Sequence, residues 1–531
     1  MSMTAIREVD TTFVRDSLLA REEIALLDVR EEAIFASGHP LFAASLSLSR
    51  LELEVYDRLP RRSVNVVCYD DGEGLARRAA TRLTELGYEN ASVLRGGLGE
   101  WRSAGLELFS DVNAPSKAFG ELVDATLHPP SIDPSDLFDR LSRHDDLVVL
   151  DVRRFEEYQT MSIPSALSVP GGELVRQFPA LVEREDTLVV INCAGRTRSI
   201  IGTQSLLNAG VANKVVALRN GTIGWTLAGL DLDRGASARV GTGVLTDDKP
   251  RRSARVLADR VGVGHIDLDA LEVLAARPAS TTYLFDVRDP KDYAAGHLRG
   301  FRSTPGGQLV QETDYFAPVR GATLVLSDDE GVRADMTASW LAQMGWTVCV
   351  LDAPPSTTEV EQGSWLPTLP LIPEVPTIES TDLTHQVEDD VVVFDLAPSR
   401  TYRAGHIPGS SFVLRAEVIA RAITLPASTQ VILTSEDGLL ARYAAAELMA
   451  ATNRRVGALA GGTGAWRSAG IPLETDTERW LSPPLDTYRR PYEGTEVGTD
   501  AMQAYLEWEY GLVEQLRRDA THGFFVLDVS R

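Results

Sequence analysis

The strongest constraint on this chain is that it repeats itself. An apolar run closing on Asp-Val-Arg or a variant occurs four times: Leu26-Leu27-Asp28-Val29-Arg30, Val149-Leu150-Asp151-Val152-Arg153, Leu284-Phe285-Asp286-Val287-Arg288 and Val393-Phe394-Asp395-Leu396-Ala397. A turn follows each run, at Gly38-His39-Pro40, Met161-Ser162-Ile163-Pro164, Gly296-His297-Leu298 and Gly405-His406-Ile407-Pro408-Gly409. A second apolar run then enters a loop at Asp70, Cys193, Asp328 or Ser435. A helical pattern follows every loop. Three copies end in a Gly-rich corner with a Trp: Gly96-Gly97 with Trp101, Gly221 with Trp225, and Gly461-Gly462 with Trp466. The third copy has Val348-Cys349-Val350-Leu351-Asp352 and then lacks that corner. Self-similarity of this kind means one supersecondary unit used several times.

Short apolar strands alternating with helices predict α/β units, each a parallel sheet with helices on both faces. The unit is of ordinary domain size. The expected boundaries are 1–112, 113–238, 253–355 and 377–475, with a C-terminal extension over 476–531. They fall where composition changes. Asn113 to Pro134 reads as a joint containing Pro and Ser, and Ala236 to Arg252 is Gly-rich and then charged. Ala353 to Pro376 carries six prolines and reads as a linker. In the extension, Met502, Tyr505, Leu506, Tyr510, Leu512, Val513 and Leu516 predict a helix from Thr499 to Ala520. It is expected to pack on one of the repeated units or on a partner subunit.

Charge and cysteine usage narrow the function. Lys plus Arg is 52 against 76 Asp plus Glu, a formal net charge of −24. Nucleic acid and acidic membrane surfaces are therefore excluded as partners of the molecule as a whole. No stretch approaches the length of a membrane span, and Met1 to Asp10 has no signal-peptide apolar region. Three cysteines in 531 residues make no disulfide framework, so a reducing cytoplasm is the expected compartment. The histidines show no metal-ligand spacing; His39, His297 and His406 each follow a Gly and are assigned to turns. No metal or cofactor is called for.

One loop stands apart. Leu188-Val189-Val190-Ile191-Asn192 leads into Cys193-Ala194-Gly195-Arg196-Thr197-Arg198-Ser199, and a helical pattern follows to Gly210. A thiol at a strand-to-helix turn faces backbone N–H groups and a helix N-terminus, a site that favours an anion. Arg196 and Arg198 add positive charge, which is expected to lower the thiol pKa. Cys68 and Cys349 lie inside apolar runs and are read as buried small hydrophobes.

Taken together, Asp-Val-Arg with Glu156-Glu157-Tyr158, the Gly-His-Ile-Pro-Gly turn at Gly405, the Cys193 loop ending in Arg198-Ser199, and the Gly-Gly and Trp corners resemble the rhodanese sulfurtransferases. The resemblance extends to about residue 475 as four tandem copies. It implies that Cys193 accepts a sulfane sulfur as a persulfide and passes it to cyanide or a thiol. The implied donor is a small anion, thiosulfate or a thiol persulfide such as glutathione persulfide. By the same resemblance, the copies starting their loops with Asp70, Asp328 and Ser435 are catalytically blank. The second copy departs from the family's pattern in having Met161-Ser162 for Gly-His, and Gly195 third and Arg196 fourth in its loop.

Residue types alone leave several roles open. The loop from Ala194 to Ser199 is expected to cradle the substrate sulfur. Arg196 either grips an anionic donor or points to solvent. Arg153 either binds donor or pairs structurally with Asp151, as Arg30 and Arg288 would with Asp28 and Asp286. Ser199 either caps its helix or bonds the persulfide, and the Trp residues are assigned to cores. A phosphatase-type Cys-x5-Arg loop would need its arginine at Ser199, so the loop is one residue short for phosphate. An alternative to turnover is a sulfur carrier or persulfide-sensing scaffold whose cysteine-less units dock a protein sulfur partner or build a homo-oligomer.

Overall fold

The computed structural model describes residues 6–239, 241, 245, 247–353, 360–386, 390–493 and 497–529. Every repeat builds its sheet in one strand order. In the second repeat that order is Ser131–Ile132, Val215–Leu218, Leu188–Asn192, Leu147–Asp151, Leu167–Ser168, with all pairs parallel. The third repeat (Gly264–Ile266, Thr347–Leu351, Thr323–Ser327, Thr282–Asp286, Arg302–Ser303) and the fourth (Thr377–Ile378, Val456–Leu459, Gln430–Thr434, Val391–Asp395, Ser411–Phe412) follow it. The first repeat does too, and adds Val319–Arg320 from the third repeat, antiparallel to Ile24–Ala25. Parallel strands need crossover connections, and the intervening helices supply them while covering both faces. The sheet interiors are accordingly apolar, with Val189, Val190 and Ile191 fully buried.

Register places the chemistry. The Asp closing the first strand lies beside the last residue of the second: Asp28 by Tyr69, Asp151 by Asn192, Asp286 by Ser327, Asp395 by Thr434. The next residue is the loop start, so in every repeat it lies at the carboxyl edge of the sheet, where parallel sheets present their sites.

Several sequence features take structural roles. Arg153 holds Asp151 through Nε and Nη2 and donates Nη2 to Met161 O at 2.6 Å. Arg30 and Arg288 make the same bonds to Asp28 and Gly38, and to Asp286 and Gly296. Each clip fastens the strand end to the following turn, and Met161 serves it through its carbonyl as the glycines do. His39, His297 and His406 are buried and stack on Phe35, Tyr293 and Tyr402, four residues earlier. Trp101, Trp225 and Trp466 are core residues, each giving its indole N–H to the carbonyl six residues on.

Asn113 to Pro134 is not a loose joint. Ala114–Leu127 is a buried helix packed against the C-terminal helix and against Thr197–Asn208. Beyond residues 354–359, which lie outside the described set, the proline-rich linker is anchored. Val360–Glu361 pairs with His297–Leu298, and Pro370 O and Pro373 O accept from Tyr443 and Arg442.

The C-terminal extension touches all four repeats. Residues 479–482 bond the fourth repeat at Phe412 and Leu414. Leu485 O and Tyr488 N reach the first at Ala33 and Glu32. Helix Thr499–Asp519 lies on the second, and Phe525 and Leu527 end on Gln343 of the third. The expected helix is thus present and packs on a repeat. Among the described residues, no helix is long and apolar enough to cross a membrane.

Candidate active site

Cys193 follows strand Leu188–Asn192 directly and is 2% exposed. Helix Thr197–Asn208 begins four residues later, so the thiol sits at a strand-to-helix turn as expected. The loop is oriented from outside by the Gly221 corner. Thr222 N–H donates to Cys193 O at 2.9 Å and Ile223 N–H to Ala194 O at 3.0 Å. A trans peptide whose carbonyl faces outward turns its N–H inward. Among the described residues, none of the N–H groups of residues 194–198 donates to a protein acceptor. Gly221 is required here. Its φ is +55°, and a β-carbon would lie 2.3 Å from Cys193 O.

The sibling loops show what such a cradle holds. Asp70 accepts from Gly72 N–H at 3.1 Å and from Ala76 N–H at 2.8 Å. Asp328 accepts from the N–H groups of Gly331, Arg333 and Ala334. In both repeats the chain's own carboxylate fills the loop, whereas in the fourth the Ser435 hydroxyl accepts Ala441 N–H at 3.3 Å. A ring of backbone N–H groups that holds a carboxylate is thus built into the first and third repeats and filled by the chain itself.

Ser199 does not cap its helix; its hydroxyl lies beside the thiol. Its hydroxyl donates to Arg196 O at 2.8 Å and stands 3.4 Å from Cys193 Sγ as acceptor of the thiol proton. Arg198 is half-buried and paired with both oxygens of Glu157, at 2.7 and 2.9 Å. Its charge, with the Ser199 bonds, favours the thiolate, yet burial is larger and pushes the Cys193 thiol up. The expectation of a lowered thiol pKa is thus overturned, because the loop is covered.

The expectations for two arginines also change. Arg196 does not point to solvent; it is buried and borders the Cys193 cavity. It is tied to Glu121 at 2.7 and 2.9 Å and to Asp124 at 2.8 Å, and it stacks on Tyr510. Arg153, placed among substrate-binding residues by the sequence, spends its bonds on the structural clip and turns its remaining edge toward an adjoining cleft. Ala194, Gly195, Thr197, Arg198 and Ser199 stay around the thiol through the loop itself. Cys68 is buried with its thiol pushed up to about 12. Cys349 is half-buried rather than buried, in strand Thr347–Leu351, also with a raised thiol.

The cover comes from residues that sequence reasoning missed. Lys117 on helix Ala114–Leu127 and Tyr492, Tyr505 and Glu509 from the extension border the Cys193 cavity, which has a volume of about 20 Å³. That is the scale of a single water-sized atom. Lys117 is buried, lies 2.9 Å from Asp111, and is ringed by Tyr492, Tyr505 and Trp508 at 5.2–5.8 Å. Tyr492 also borders a cleft of about 720 Å³ whose charged lining is Arg153, Arg154, Arg400, Arg403 and Arg489 with three glutamates, at 156, 157 and 493. One signal for the cover was available. Glu509 stands on the apolar face of a predicted helix, four residues after Tyr505 and three before Leu512.

Comparison with known proteins agrees with this architecture. A model of the rhodanese-like domain matches residues 15–104, 133–228, 269–353 and 380–469. The crystal structure of a thiosulfate sulfurtransferase from Pseudomonas aeruginosa is similar over 98% of this chain and 100% of its own, with 53% sequence identity and a TM-score of 0.96. An HTH-type transcriptional regulator from Mycobacterium tuberculosis is 32% identical over 91 residues, 17% of this chain and 39% of that protein. An uncharacterized protein from Synechocystis is 34% identical over 99 residues, 18% of this chain and 54% of that protein. The chain thus spans about half or less of the length of these two curated relatives.

Proposed function

Because the chain belongs to the family of rhodanese-like domains, four of them in tandem, we propose that it is a sulfurtransferase working through a persulfide on Cys193. The units are taken as 1–112, 113–238, 253–355 and 377–475, with the extension 476–531 completing the second. The observation that carries the reading is the Cys193 loop. Among the described residues the N–H groups of residues 194–198 have no protein acceptor, while the equivalent loops of the first and third units are filled by Asp70 and Asp328.

The reaction is a two-step displacement. The Cys193 thiolate attacks the outer sulfur of a small anionic donor, thiosulfate or a thiol persulfide such as glutathione persulfide. The bond between the donor's sulfurs breaks, and sulfite or a thiolate leaves with the electron pair. The outer sulfur rests as a persulfide in the amide ring, which stabilises its charge. Cyanide or a thiol then takes it. The cavity beside the thiol suits a single sulfur atom. The cleft that shares Tyr492 with this cavity carries five arginines against three glutamates, a locally positive surface in a chain of net charge −24. A reducing cytoplasmic setting fits a free reactive thiol.

The test is steady-state transfer by the wild type and Cys193→Ala, with each donor offered separately and cyanide or glutathione as acceptor. Many turnovers per chain, abolished in the variant, support the enzyme. A single sulfur taken up without turnover supports the carrier reading, with the blank units as docking sites for a protein partner.

A further inference from the structure

Helix Thr499–Asp519 buries an apolar face made of Met502, Tyr505, Leu506, Leu512 and Leu516. Glu509 interrupts that face and is only 1% exposed. Its Oε1 accepts the Tyr505 hydroxyl at 2.9 Å, and its Oε2 is buried without a hydrogen-bond partner among the described residues. That oxygen is aimed at the Cys193 loop. A β-carbon on Gly195 would lie 3.2 Å from it, and Glu509 and Cys193 border one cavity. An unpaired carboxyl oxygen inside a protein is costly unless something outside the resting structure uses it.

The charged and titratable groups facing Glu509 are Lys117 and Glu121 from helix Ala114–Leu127, Arg196, Arg198 and Cys193 from the loop, Tyr505 on its own helix, and Tyr492 and Asp111 beyond. The cations are committed elsewhere: Lys117 to Asp111, Arg196 to Glu121 and Asp124, Arg198 to Glu157. Burial, with Glu121 beside it, pushes the Glu509 carboxyl up to about 8. A group in that range exchanges protons readily near neutral pH.

We propose that Glu509 is the proton acceptor and donor for Cys193, so that a residue from outside the second repeat completes its active site. The inference rests on Cys193 being the sulfur-transfer cysteine. The Glu509 carboxylate takes the proton from Sγ. The Sγ electron pair bonds the outer sulfur of thiosulfate, the sulfur–sulfur bond of the donor breaks, and its electron pair leaves on sulfite. Glu509 returns the proton to sulfite. Overall, Cys193–SH and thiosulfate give the Cys193 persulfide anion and hydrogensulfite, with no redox partner needed.

The experiment is the pH profile of kcat/KM for thiosulfate, with cyanide as acceptor, in the wild type, Glu509→Gln and Tyr505→Phe. The wild type gains activity as pH rises through about 8. Glu509→Gln keeps the shape and the Tyr505 bond. It is expected to lose about a hundredfold in kcat/KM at neutral pH and to shift its limb to the higher pH of the thiol alone. If Glu509 only repels the thiolate, removing its charge raises the neutral-pH rate instead, and that result overturns the proposal. Tyr505→Phe removes a bond that favours the carboxylate and is expected to move the limb to higher pH. An unmoved limb there overturns the proposal even if Glu509→Gln fails to fold. A wild type without Cys193-dependent turnover overturns the sulfurtransferase reading, and this proposal with it.

Discussion

Cys193 Sγ and Ser199 Oγ, six residues apart, lie 3.4 Å from each other across the start of a helix. The other loops close over the same span, through Ala76 N–H to Asp70, Ala334 N–H to Asp328 and Ala441 N–H to Ser435. The link belongs to the fold, and only in the second repeat does it touch a thiol.

Ser199→Ala keeps the helix and removes a hydroxyl that can turn from Arg196 O to donate to the thiolate once Cys193 ionises. One such bond is worth about 1–1.5 kcal/mol, or about one pH unit of thiol ionisation. Alkylation of Cys193 by iodoacetamide, followed against pH, is expected to shift upward by that amount in the variant.

Glu157 and Arg198 form a half-buried pair beside the thiol. Arg198 holds the Glu157 carboxyl far below the ordinary carboxylate range, although burial opposes it. The sign follows from linkage: a depressed carboxyl contributes stability that is present above its unfolded pKa and lost as pH falls through the folded one. Glu157→Gln leaves the half-buried Arg198 without its charge partner. It is expected to cost about 1–3 kcal/mol at neutral pH, with the gap to wild type narrowing in acid. Denaturant melts at neutral and acid pH measure this.

Gly221→Ala places a methyl against Cys193 O in a left-handed backbone conformation. The backbone term alone costs about 1–2 kcal/mol. Displacement of the loop adds a loss of kcat. Thermal melting and steady-state kinetics on one preparation separate the two effects.

Asp70→Ala empties the loop of the first repeat. Leaving the Gly72 and Ala76 N–H groups without their acceptor costs about 1–3 kcal/mol. Sulfur transfer per folded chain is expected to stay unchanged, because Asp70 lies in another repeat. A matching loss of turnover would make the first repeat part of the catalytic unit.

The sheets, the clips and the Cys193 turn were legible because their determinants are local: apolar runs, Asp-x-Arg and a glycine corner, each repeated within one chain. The cover was not legible in the same way. Lys117 and Glu509 meet Cys193 only through packing of helices 76 residues upstream and 316 downstream in sequence, counted from residue 193. That distance also explains the misjudged thiol. The loop's own arginines argue for a lowered pKa, while burial by Tyr492 and Tyr505 reverses the balance. Arg196 was misread for a related reason, since its partners Glu121 and Asp124 lie on a segment whose prolines and serines suggested a joint.

The most direct test of the account is where sulfur goes. Purified protein is incubated with thiosulfate, digested without reductant, and each cysteine-containing peptide is weighed. The account predicts one added sulfur on Cys193, none on Cys68 or Cys349, and none anywhere in Cys193→Ser. Sulfur retained by Cys193→Ser, or found first on Cys349, would contradict it.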